Sequence, residues 1–124
     1  MRANLWVALL LLLACGVWAG DEQPKAASTS TELDIRPKKG APWGAGLEDV
    51  DKVLHAAAGE LWKYVPGRQL PPILVEPKGG PITLFDRGPN GEFRVRLDTG
   101  DAYWAQYTYQ FAHEFCHILC GNKE

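Results

Sequence analysis

Residues 113–117 read His113-Glu114-Phe115-Cys116-His117. Two histidines four apart on a helix lie on one face, one turn above the other, so both imidazoles can reach a single divalent ion. Glu114 projects sideways from the same turn and is placed to act as general base toward a water held on that ion. Zn2+ is the cofactor expected, because it takes imidazole nitrogens readily and lowers the pKa of its water to about 7. A competing reading makes the histidines satisfied core residues, hydrogen-bonded to tyrosines such as Tyr109. Two imidazoles and a carboxylate on one apolar helix are costly without a strong partner, which favours the metal. Glu114-x-x-His117 is also half of a di-iron carboxylate motif, but that site needs a second such pair on a four-helix bundle, and the sequence offers neither.

A catalytic zinc site has three protein ligands and one open position. Beyond His117 the donors are Cys120 and Glu124. A carboxylate in a fraying terminus is a poor ligand, and a Cys120 thiolate is a substitute rather than an obvious choice. The third ligand is therefore expected to be missing, with the domain incomplete at its C-terminus and truncated after the metal-binding helix. Cys116 and Cys120 are expected as small buried hydrophobes. Their Cα atoms, about 6 Å apart on a helix, leave a disulfide open as an alternative.

The motif sits in Ala102 to Cys120, which is apolar nearly all round and is expected to run buried through the middle of the domain. Asp101 is the expected N-cap and Gly121 the stop. A second helix is expected over 47–65, where Leu47, Val50, Leu54, Ala57, Ala58, Leu61 and Val65 form one stripe and Pro66-Gly67 ends it. His55 falls off that stripe and is expected in solvent. Between the helices, 72–76, 82–85 and 93–97 read as strands separated by Gly/Pro clusters. In the last, Phe93, Val95 and Leu97 face inward and Arg94 and Arg96 outward, a solvated face. The fold class expected is α+β: a backing helix, a small, twisted, mostly antiparallel sheet and a buried helix carrying the motif.

The 124 residues are 46% hydrophobic and 23% charged, with formal charge −2, which suits one domain and gives no electrostatic footprint for nucleic acid. Met1-Arg2-Ala3-Asn4 followed by the apolar run Leu5 to Ala14 reads as an export signal, too short for the roughly 20 residues of a spanning helix. Two endings stay open. Val17-Trp18-Ala19 suits cleavage after residue 19, whereas Leu12-Leu13-Ala14-Cys15 matches a lipobox, with a signal over 1–14 and a lipid on Cys15. The protein is thus expected to be exported: periplasmic, extracellular or lipid-anchored, meeting a membrane only through its signal or lipid. Residues 20–46 are rich in Pro, Gly, Ser, Thr, Lys and Glu and read as a flexible linker, with Leu33, Ile35 and Trp43 able to pack locally. The domain proper is expected over 47–124.

With its order of helix, strands and HExxH helix, the chain resembles the zincin metallopeptidases over roughly residues 47–120. The likeness is to the gluzincin type more than the metzincin type, whose continuing Gly and His are replaced here by Cys120 and Lys123. The resemblance implies zinc on His113 and His117, Glu114 as catalytic base and peptide-bond hydrolysis of a peptide or protein substrate. It also implies that FRVRL is the edge strand along which the substrate adds. The alternative is a non-catalytic metal-binding or interaction module, or a remnant lacking the third ligand. The flanking QFAHEFCHILCGN resembles exported bacterial proteins of unassigned function.

Overall fold

A computed structural model describes residues 32–121; the segment expected to be an export signal, Cys15 and Glu124 lie outside the described residues. The elements are β1 (Ile35–Pro37), α1 (Leu47–Trp62), β2 (Ile73–Glu76), β3 (Ile82–Leu84), β4 (Phe93–Arg96) and α2 (Trp104–Cys120). The fold is α+β. One four-stranded sheet has the order β1-β2-β4-β3, with α1 and α2 packed on each other and against one of its faces.

The sheet is mixed rather than mostly antiparallel. β1 pairs with β2 and β2 with β4 in parallel, and only β3 runs antiparallel, to β4. The cause is α1, which carries the chain from the end of β1 back to the start of β2 and so forces the two strands to run the same way. FRVRL is correspondingly not an edge strand: β4 lies between β2 and β3, and β3 takes the edge.

The inward side chains are Ile35, Ile73, Val75, Thr83, Phe93 and Val95, continued by Leu97. Arg94 and Arg96 point away and are half-buried, as the alternation requires. α1 contributes Val50, Leu54, Ala57 and Ala58 to the core, each large aliphatic adding roughly 1.5–3 kcal/mol. Its regular hydrogen bonding ends at Trp62, three residues before the expected end. Gly80 is fixed by crowding: a Cβ there would stand 1.9 Å from the Arg96 carbonyl oxygen, a distance no side chain tolerates.

The stretch expected to be a tether joins the fold from residue 32. Besides supplying β1, it buries Trp43 to 3% exposure, and the Trp43 indole donates to the Lys38 carbonyl at 2.9 Å. His55 is also not simply solvated. Half-buried, it places Nδ1 3.0 Å from the Asp51 carbonyl oxygen and Nε2 3.2 Å from that of Leu33, clasping α1 to the approach of β1.

α2 differs most from expectation. It buries Tyr107, Phe111, Glu114, Phe115 and Ile118, while Tyr109 is 74% exposed and His113, Cys116 and Cys120 are exposed as well. The helix belongs to the outer of two layers, so one face meets the sheet and α1, and no described element covers the other. Asp101 does not cap it. The N-cap is Tyr103, without a side-chain bond, and Asp101 occupies a left-handed turn at φ 50°. There its N–H donates to the Trp43 carbonyl and its own carbonyl accepts from the Tyr107 hydroxyl.

Candidate metal centre

Helical spacing brings His113 and His117 together on the outer face of α2. Their Nε2 atoms are 3.1 Å apart, and the rings meet edge-on with centroids 4.8 Å apart at 75°. Two nitrogens at about 2.05 Å from a shared zinc ion and 3.1 Å from each other subtend about 98°, within reach of tetrahedral coordination. Without the ion, the same separation lets one imidazole donate to the other. Tyr109 stacks on His113 (6.5 Å, 28°) rather than bonding to it, and so orients the ring. The exposure of His113 removes the satisfied-core reading of this residue.

Glu114 turns the other way. About 100° further round the helix, it is 2% exposed, and its Oε2 accepts from the Thr83 hydroxyl at 2.7 Å. The same hydroxyl lies 3.2 Å from the Glu114 carbonyl oxygen. The edge strand β3 thus fixes the carboxylate through one threonine. Thr83 was not singled out from the sequence: alternation in Ile82-Thr83-Leu84 would turn the two aliphatic residues inward, whereas the structure buries the threonine between them.

Among the described residues no group of three or more His, Cys, Asp or Glu gathers around a common point. Cys120 stands at the end of the helix and does not complete the histidine pair, and Glu124 lies outside the described residues. Cys116 and Cys120 are exposed free thiols, not buried hydrophobes, because their azimuths fall on the uncovered face. Beside His113 runs an open, largely apolar trough of about 590 Å³ lined by Leu61, Ala105, Tyr109, Ala112 and Cys116.

Arg96 contributes a long contact to Glu76 (Nε to Oε2, 3.7 Å) on the far face of the sheet, remote from this site. Compared with known proteins, the chain matches no protein-family model, no curated protein and no solved structure.

Proposed function

We propose that this chain is an exported zinc-dependent metallopeptidase-like protein of the zincin type. One observation carries the reading: the converging Nε2 atoms of His113 and His117, 3.1 Å apart. Zinc, when bound, supplies Lewis acidity and brings a water's pKa toward neutrality. His113 and His117 hold the ion, with Tyr109 fixing the first ring. To act as general base, Glu114 would have to leave its buried bond to Thr83 and turn toward the histidine face. β3 presents its free edge to an extended peptide, and Thr83 ties that strand to the base, so substrate alignment and base position are coupled.

The lack of a third donor among the described residues favours a second reading, a metal-binding module without turnover. Zinc analysis of the purified protein, with peptidase assays of wild type and Glu114→Gln, separates the two. Bound zinc with hydrolysis lost in the variant supports the hydrolase. Bound zinc with no hydrolysis in wild type supports the module. A folded wild-type protein with no zinc affinity overturns both.

A further inference from the structure

We infer that Cys116 and Cys120 form a dithiolate clamp for a soft monovalent ion of the Cu(I) class, on the same outer face of α2 as the imidazole pair but drawing on neither ring. Both are free, exposed thiols. They stand one helical turn apart and within about 40° of each other in azimuth. Positions four apart on a helix hold their Cβ atoms about 5–6 Å apart, whereas a disulfide needs about 3.5–4.5 Å. The bond cannot close while this turn stays helical.

The turn is well anchored. Gly121 caps it in the left-handed region at φ 66°, and the Arg68 guanidinium donates to the Leu119 carbonyl. Phe115 and Ile118 pin the opposite side of the same turns in the core. The spacing that excludes a disulfide suits an ion. With metal–sulfur bonds of about 2.3 Å, two thiolates span up to about 4.6 Å, and Sγ atoms leaning together from Cβ atoms 5–6 Å apart reach that span.

Thiolate donors select Cu(I) over harder divalent ions, and a two-coordinate ion asks for no third ligand. Uptake releases two thiol protons to solvent and changes no oxidation state. Exposure of both residues leaves the entry path open. The inference uses neither imidazole, so it stands or falls apart from the hydrolase reading.

The test is an anaerobic titration of the full chain with Cu(I) buffered by a chromophoric chelator. It is run in wild type and in a Cys15→Ser background, which removes the remaining thiol. One equivalent withdrawn from the chelator is expected, with thiolate-to-copper absorption in the ultraviolet, and Cu(I) should protect Cys116 and Cys120 from alkylation as read by peptide mass. Cys116→Ser and Cys120→Ser should each lose the uptake while keeping wild-type circular dichroism. His113→Ala/His117→Ala should retain it. The clamp is overturned by uptake that survives both serine variants, by uptake that vanishes in the histidine variant, or by alkylation at the same rate with and without Cu(I).

Discussion

The Thr83 hydroxyl donates to the Glu114 carboxylate at 2.7 Å, joining the edge strand to the residue between the two histidines. Both groups are buried, and no buried side-chain nitrogen or oxygen among the described residues lacks a hydrogen-bond partner. Removing the hydroxyl without changing the side chain's shape isolates the bond. Thr83→Val should cost about 1–3 kcal/mol, the penalty for leaving a buried acceptor without its donor. Thr83→Ser should recover much of the loss. Urea melts of the three proteins check this, and a neutral Thr83→Val would mean that the carboxylate does not depend on β3.

Tyr107 carries a second, partly buried polar bond. Its ring packs between Trp43 and Trp104, and its hydroxyl donates to the Asp101 carbonyl at 3.1 Å. Burial, reinforced by the negative charge of Asp101, holds the phenol above its usual ionisation range. An acid raised in this way is favoured protonated in the fold. Its contribution is full below about pH 10 and is lost as the pH climbs past the folded-state value. Tyr107→Phe should therefore cost about 0.5–1.5 kcal/mol at neutral pH and should flatten the alkaline fall in stability. Thermal melts from neutral to strongly alkaline pH, compared between the two proteins, show whether the curves converge as expected.

Local pattern made much of this fold legible. The alternation of Phe93-Arg94-Val95-Arg96 predicts which side chains face the core, and the stripe from Leu47 to Leu61 predicts α1. Sheet order was not legible, because parallel pairing is a non-local consequence of where α1 crosses. β1 is three residues long, ends in proline and sits among polar residues, so it shows no periodicity of its own. The one-sided burial of α2 was hidden by composition: Tyr109, Ala112, Cys116 and Cys120 count as apolar yet lie on the uncovered face. The spacing of His113 and His117 was readable because four residues is one turn of any helix. Thr83, thirty-one positions away from Glu114, could not be paired with it without the sheet.

The segment before α1 offers a direct check on where the folded unit begins. Trp43 fills the space beside Tyr107, with ring centroids 6.1 Å apart, and Ile35 packs in register with Ile73. Trp43→Ala should cost about 3–5 kcal/mol, as for other large aromatics truncated in a core. A chain starting at Leu47 should lose its cooperative melt altogether, since β2 would become an uncovered edge and the core would open. Equal stability of the shortened and full chains would return residues 32–46 to the role of a spacer.

Metal binding should register as stability, because the Nε2 pair forms only when α2 is folded. A ligand that binds the native state alone stabilises it by RT ln(1 + [L]/Kd), about 2.7 kcal/mol at a hundredfold excess over Kd. Zinc should therefore raise the melting temperature of wild type in a concentration-dependent way. His113→Ala and His117→Ala should each abolish most of that rise, since one remaining imidazole is a weak single donor. His113 is exposed on the uncovered face, so its loss should barely change the melt without zinc. Glu114→Gln should keep the zinc-dependent rise while losing any hydrolysis. That contrast matters because it separates holding the ion from using it: a carboxylate directed to β3 by Thr83 is not required for the imidazoles to converge. If Glu114→Gln removed the zinc response as completely as the histidine variants do, the carboxylate would be a ligand and not a base.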